Sequence, residues 1–329
     1  MKRHSISLLL VLALLGAVPT AFAQQPQTGS QPVLSPEQLD NLVAPVALYP
    51  DPLLGQMLVA STYPLEVVEA NQWLQQNRNL RGQELLDAAK QQPWDPSIQA
   101  LVAIPDALAK LNEDIRWTTD LGNAFLSQQA DVMNAVQQMR ARAQSNGRLA
   151  STPQQTVTTQ EQGGQQAIVI QPADPQVIYV PTYDPAYVWG PPVYGYYPPL
   201  FYPRFGFGFG FGFDLGFCFG GWGWGLGWFG GSAFVNNGFL ANYGFRNGGG
   251  WGRTPWTHDP MHRMGVPYSS SQVAARFGGN SMGFRNSLRS GALSTSAAGR
   301  FAGRTGQYRS FGSFNRGGFG GFGRGGGRR

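Results

Sequence analysis

The two histidines with ligand-like spacing lie in the segment His258-Asp259-Pro260-Met261-His262. A pair of histidines four residues apart can bind a metal ion from one face of a helix, and Asp259 or a distant residue would then supply a third ligand. Pro260 disfavours a continuous helix between them. Two interpretations therefore stay open: His258 and His262 are candidate metal ligands, or Asp259 and Pro260 build a turn that leaves His262 and Arg263 as surface polar groups.

Other catalytic signals are absent from the sequence. It contains no Gly-x-Ser-x-Gly, no phosphate loop and no dinucleotide fingerprint, and its one cysteine, Cys218, excludes an intramolecular disulfide. Glu66 and Glu69 are spaced as on a solvated helix face, and nothing selects a pair of carboxylates for glycoside hydrolysis. We therefore expect no cofactor and a non-enzymatic binding or structural role. The alternative is a hydrolase or metal-binding protein that uses His258 and His262 or unidentified carboxylates.

Aromatic residues alternate with prolines near the middle of the chain. Tyr179, Tyr183, Tyr187 and Trp189 lie in a segment with four prolines between 181 and 192, a composition typical of extended, polyproline-like backbone. One interpretation is a recognition strip for a glycan or an extended peptide. The other is an arm whose rings simply cover a helical core.

The first 23 residues have the three parts of a secretory signal peptide. Lys2 and Arg3 precede an apolar run over 6–18, and a small-x-small site predicts cleavage between Ala23 and Gln24. The apolar run is shorter than the ~20 residues that a spanning helix needs. The sequence therefore predicts export to the periplasm or the outer-envelope surface of a bacterium.

Charge is divided unequally along the chain. Residues 24–199 contain 8 basic and 16 acidic side chains, whereas residues 200–329 contain 14 arginines and 2 acids. Such a basic, aromatic tail fits anionic lipid, lipopolysaccharide or another envelope protein, and it favours self-association through ring and arginine contacts. Export would remove cellular nucleic acid as a partner. For the glycine-aromatic part, insertion of residues 205–235 in a membrane and a folded β element are the alternatives to a disordered segment.

Residues 35–149 have the periodicity of a compact array of short helices. Ser35 to Gln38 form a capping box, and Asp51-Pro52 and Asp95-Pro96 are typical helix starts. We predict a mainly α fold with a small β-hairpin over 167–171 and 177–180, followed by a largely disordered Gly/aromatic/Arg-rich C-terminal region. The predicted divisions are a signal peptide, a linker, a helical domain, a second linker, a hairpin with a Pro/Tyr-rich arm, and a low-complexity tail, over 1–23, 24–34, 35–149, 150–166, 167–199 and 200–329.

Several proline-anchored blocks occur in a distinctive order: Leu42–Leu54, Ala60–Pro64, Trp94–Ser97, Val177–Pro181 and Tyr183–Pro185. Together they resemble a bacterial exported family known only as domain of unknown function 3300, over roughly residues 35–195. The resemblance implies export, a helical front half and a low-complexity rear. It implies no activity, and no catalytic or binding residue can be transferred from it.

Overall fold

We describe a computed structural model of the chain, over residues 34–203, 206–214, 222–242, 244 and 252–277. The predicted signal peptide with its cleavage site at Ala23 and Gln24, Cys218, and the arginine-rich end after residue 277 lie outside the described residues. Mainly helical architecture with small antiparallel β elements is confirmed.

Eight helices form the first half of the fold. Prolines in the first turn start five of them, because proline lacks the N–H that a helix start leaves without a partner. Ser35 caps the first helix, and the predicted capping box with Gln38 is present. The helices are α1 (Pro36–Val43), α2 (Asp51–Ala60), α3 (Pro64–Gln76), α4 (Gly82–Lys90), α5 (Pro96–Leu101), α6 (Pro105–Glu113), α7 (Ile115–Ser127) and α8 (Gln129–Ser145).

The β-hairpin differs from the predicted one. Strand β1 (Gln155–Gln162) pairs antiparallel with β2 (Gln165–Pro172), so most of the predicted linker over 150–166 is a strand. Gly163 and Gly164 form the two-residue loop with φ of 59° and 78°, the conformation that favours a type I′ hairpin turn. The predicted pairing of 167–171 with 177–180 is wrong, because this glycine pair supplies a closer partner on the other side.

The phenylalanine-glycine repeat is the partner of the next strand. β3 (Val177–Tyr183) pairs antiparallel with β4 (Phe207–Asp214), with Tyr183 opposite Phe207 and their rings stacked at 5.7 Å between centroids. Between them lies the short helix α9 (Pro185–Trp189). For the residues of β4, the folded β interpretation is therefore the correct one, and disorder was the wrong expectation.

A second part of the glycine-aromatic segment covers the helices. β5 (Trp224–Gly227), β6 (Ser232–Asn236) and β7 (Arg253–Pro255) form one antiparallel sheet, with α10 (Asn237–Asn242) between β6 and β7 and α11 (Ser271–Arg276) beyond them. β5 packs on α2 so closely that a Cβ added to Gly55 would lie 3.3 Å from the backbone of Gly225. Because α5, α7 and β2 also pack against α2, every residue of this helix is buried. In the parts of the chain described, no helix combines the length and apolar character needed to cross a bilayer.

A buried ion pair connects these layers. The Arg140 side chain is fully buried; its Nη1 lies 2.6 Å from Asp51 Oδ1, and its guanidinium also donates to backbone carbonyls before α2 and in β2. Trp228 Nε1 donates to the other carboxylate oxygen at 2.7 Å, and the guanidinium lies 4.8 Å from a Trp228 ring centroid. Burial raises the pKa of Asp51, and Arg140 opposes that rise. The pair thus joins α2, α8, β2 and the short 3-10 helix Trp228–Gly230.

Removal of the buried cation tests this connection. In Arg140→Leu the Asp51 carboxylate is left without its counter-charge in the core, so we expect the free energy of unfolding in urea to fall by about 3–5 kcal/mol. Arg142→Leu is the matched control, because Arg142 pairs with Asp40 at 2.7 Å with 43% of its side chain exposed. The control is expected to cost less than about 1 kcal/mol. Equal losses in the two variants would contradict this account.

Candidate functional site

An open groove of about 1270 Å³ lies between α1 and α7, and the Pro/Tyr arm and α11 complete its sides. Here the Pro/Tyr arm means residues 190–199. The apolar part of its lining, here called the floor, includes Leu42, Trp117 and Val273. The arm contributes consecutive residues over 194–199 to the rim.

Hydrogen bonds from side chains to backbone fix the floor and the entrance of the groove. Trp117 Nε1 donates to the Leu42 carbonyl at 2.9 Å, which sets the distance between α7 and α1. Gln128 both accepts from the Leu34 N–H at 2.9 Å and donates to the Leu34 carbonyl at 3.2 Å. The chain entering α1 is therefore held on the end of α7.

The remaining walls are also tied to the helices. Asn41 donates to the backbone carbonyl of Tyr194 and so connects the arm to α1. Arg263, which precedes α11, is buried, so the expectation of a surface position for it is wrong. Its guanidinium donates to the Thr62 carbonyl at 2.8 Å and to Asn123 Oδ1 at 2.7 Å. Burial lowers the pKa of Arg263 to about 10. All four sides of the groove are consequently built on the same helical core.

The predicted aromatic strip divides between core and surface. Tyr183 is buried and its hydroxyl donates to the Ala44 carbonyl at 2.8 Å, while Trp189 Nε1 donates to the Met139 carbonyl at 2.8 Å. Tyr179 is half-buried against Phe209. Tyr183 and Trp189 thus cover the helical core, as one of the two interpretations expected.

Tyr187 is the exposed member of the strip, and it lies outside the groove lining. Arg148 donates to its hydroxyl at 2.6 Å and lies 4.2 Å from its ring centroid. The rings that reach the groove come later in the sequence. Tyr194 and Tyr196 are 60% and 92% exposed, and Tyr197 is half-buried beside them. They were not among the residues predicted from the sequence, although the prolines on both sides, at 191–192 and 198–199, mark a restrained loop.

The two histidines both pack on the ring of Tyr63. The His258 ring is stacked on Tyr63 at 5.1 Å, and the His262 ring meets it edge-on at 5.8 Å. His258 Nε2 is hydrogen-bonded to the Tyr268 hydroxyl at 3.0 Å, and burial lowers the pKa of His258 to about 3. Within the described residues, no group of three or more His, Cys, Asp or Glu side chains is placed to hold a metal ion.

The local backbone is the turn that the sequence allowed. Residues 260–265 are turn residues, and Asp259 Oδ1 accepts from the Met261 N–H at 2.9 Å, as an aspartate does when it starts a turn. This turn places His262 against Glu66 on α3, and not beside His258 as a second metal ligand.

Glu66 and His262 form a carboxylate–imidazole pair. Glu66 is 2% exposed; its Oε1 lies 2.7 Å from His262 Nδ1, and its Oε2 accepts from the Asp95 N–H at 2.7 Å. The solvated face predicted for Glu66 and Glu69 is wrong, since Glu69 is half-buried and accepts from Trp94 Nε1. The sequence could not show this, because the segment that buries Glu66 lies 196 residues away.

Both members of the pair have raised pKa values. Burial raises the pKa of Glu66 to about 7, although the hydrogen bond from His262 opposes it. Burial alone lowers the pKa of His262, but the hydrogen bond and negative charge of Glu66 outweigh it and leave a net rise. The pair can therefore change its protonation near neutral pH, at a place distinct from the groove lining.

Residues 35–244 match the model of a family described as "Protein of unknown function (DUF3300)". The chain belongs to this family. The resemblance expected from the proline-anchored blocks is thereby confirmed, and the DUF3300 match includes α1, α7 and the Pro/Tyr arm but ends before α11.

The chain is also similar to a curated bacterial protein. The chain is 31% identical over 326 aligned positions to the "Uncharacterized protein YacH" of Escherichia coli (strain K12), which covers 77% of this chain and 53% of the relative. The chain thus spans about half the length of that relative. No solved structure matches the present chain.

The Glu66–His262 pair predicts a pH-dependent stability. Both folded-state pKa values are raised, so the folded state keeps protons that the unfolded chain releases, and this stabilisation is lost as pH rises. His258 has a depressed pKa, and its effect is confined to pH below its ordinary value of about 6.5. We therefore expect the free energy of unfolding to fall by about 1 kcal/mol from pH 6.5 to 8.5, a size typical of one pKa unit.

The variant Glu66→Gln keeps a neutral acceptor for His262 and is expected to flatten this slope. Glu69→Gln, one turn along the same helix, is the matched control and should retain it. Urea unfolding at the two pH values is the measurement. A slope in Glu66→Gln as steep as that of the unmodified protein would contradict the assignment.

Proposed function

We propose that this protein is a non-enzymatic binding protein of the bacterial envelope that takes an extended ligand in the groove. The observation that supports the proposal best is the groove itself. Its volume of about 1270 Å³ exceeds the ~300–1000 Å³ of ordinary small-molecule pockets. Tyr194 and Tyr196 stand exposed at its rim, and exposed aromatic residues held on a restrained loop are typical of recognition surfaces.

A rigid site fits a binding role better than a mobile one would. Each wall of the groove is connected to the helical core through a side-chain hydrogen bond, made by Trp117, Gln128, Asn41 or Arg263. A preformed site loses less conformational entropy when a ligand binds, so more of the contact energy contributes to affinity. The core that carries these walls is the part of the chain with the most extensive burial.

The envelope location is supported by the sequence at both ends. The n-region, apolar run and small-x-small site before Gln24 are the signals for export. Residues 278–329 contain nine arginines and no acidic residue, so they would bring a basic segment to the anionic surfaces of the envelope. In this proposal the groove selects the ligand and the basic end supplies attachment.

Cell fractionation tests the attachment. We expect the mature protein to begin at Gln24, to sediment with envelope membranes at low salt, and to be released at about 1 M salt, where charges are screened beyond ~3 Å. Replacement of the nine arginines after residue 277 by glutamine should release the protein at low salt. Replacement by lysine, which keeps the charge, is the control and should leave it attached.

The proposal of attachment fails if the glutamine and lysine variants partition identically. The proposal of export fails if the protein isolated from its host still begins at Met1 and stays in the cytosol. These two outcomes are read from the same samples by N-terminal sequencing and by immunoblotting of the fractions.

A further inference from the structure

We infer that the groove binds a neutral oligosaccharide of several sugar units; this inference rests on the proposed function and names its ligand class. The Pro/Tyr arm supplies the first argument. Tyr194 and Tyr196 expose their rings at the rim, between the prolines at 191–192 and 198–199. A sugar ring has an apolar face of C–H groups, and an exposed aromatic ring offers an apolar surface with a polar hydroxyl at its tip.

The charges around the groove nearly cancel. Asp114 lies in the lining, but its carboxylate caps α7 by accepting from the backbone N–H groups of Arg116 and Trp117 at 2.8 and 3.0 Å. The other charged side chains of the lining are Arg116 and Asp120, which lie one turn apart on α7 and are both exposed. One cation and one anion of this kind do not select a charged ligand.

The same two side chains suit hydroxyl groups. A sugar hydroxyl both donates and accepts, so it can donate to the Asp120 carboxylate and accept from the Arg116 guanidinium. Neutral amide and hydroxyl groups add to this mixed character elsewhere in the lining, at Gln272 and Ser269. A lining that combines donors, acceptors and apolar side chains matches a ligand that carries hydroxyls around apolar ring faces.

An extended peptide is the competing ligand, but the groove walls offer its backbone fewer hydrogen-bond partners. Peptides that bind in extended form commonly add a strand to a free sheet edge, where backbone hydrogen bonds supply affinity. None of the described lining residues belongs to a strand; they lie in α1, α7, α11 and the loops beside them. A peptide backbone in this groove would find side chains but no ladder of backbone partners.

The size of the groove selects an oligomer over a single sugar. Its volume of about 1270 Å³ is larger than a drug-sized ligand fills. The arm and α11 both contribute to the lining, so a chain of sugars can contact more of the groove than a monosaccharide can. We expect affinity to rise with chain length until the groove is filled.

Isothermal titration calorimetry on the full mature chain provides the test. The probes are chitohexaose, maltohexaose, the monosaccharides N-acetylglucosamine and glucose, and a neutral proline-rich hexapeptide. We expect at least one hexasaccharide to bind at least about tenfold more tightly than its monosaccharide. Tyr196→Ala should weaken that binding by about tenfold, because an aromatic contact at a ligand is lost.

Two matched variants separate ring contact from damage to the arm. Tyr196→Phe keeps the ring and should stay within about twofold of the unmodified protein. Tyr187→Ala removes an exposed tyrosine just before the arm but outside the groove lining, and should leave affinity unchanged.

Binding of the hexapeptide but of neither hexasaccharide, lost in Tyr196→Ala, would overturn this inference and leave the proposed binding function standing. Hexasaccharide binding that Tyr196→Ala does not weaken would overturn the assignment to the groove. Absence of binding for every probe would count against the oligosaccharide class, and the fractionation experiment would still decide the envelope role.

Discussion

The Arg140–Asp51 ion pair is the constraint around which the rest of the protein is arranged. A guanidinium and a carboxylate removed from water are stable only when every strong hydrogen-bonding group has a partner. Here the partners come from α8, the start of α2, strand β2 and Trp228, which lies 177 residues after Asp51. The helical array, the hairpin and part of the glycine-aromatic segment must therefore assemble together, because none of them can leave without stranding a buried charge.

The groove depends on this assembly indirectly. α1 and α7 pack on each other and on α8, which carries Arg140. The arm and α11 are attached to that frame through Asn41 and Arg263. The groove walls therefore need no rearrangement to face one another, and the protein can present a preformed surface on elements from three distant parts of the chain.

Local signals predicted the local structure well. Proline starts, the Ser35 capping box and apolar periodicity indicated the helices, since these depend on residues a few positions apart. The predicted partner of β2 was wrong, because the turn at Gly163-Gly164 brings β1 against it instead. The Phe-Gly repeat was expected to be disordered because its partner, β3, is more than twenty residues away. Pairing across such distances is set by tertiary packing, which a single sequence does not display.

The candidate site was predictable only in its chemistry. The expectation of an aromatic recognition strip was sound as a type of surface, but the sequence does not tell which tyrosines the core takes. Tyr183 became a core residue because the carbonyl of Ala44 lies within reach of its hydroxyl, whereas Tyr196 remained exposed. Burial of Glu66 likewise required His262 from a distant turn. For Tyr183 and Glu66, the residue that determines burial lies more than a hundred positions away in the sequence. The exposed tyrosines did have a local signal, the prolines on either side of them.

The contact between Gly55 and Gly225 has a consequence for biosynthesis. Helix α2 emerges from the ribosome early, but the strand that seals it is made about 165 residues later. At ordinary elongation rates the nascent chain must then keep a predominantly apolar helix incompletely covered for on the order of ten seconds. The burial of α2 can therefore be completed only after about 70% of the chain has been synthesised.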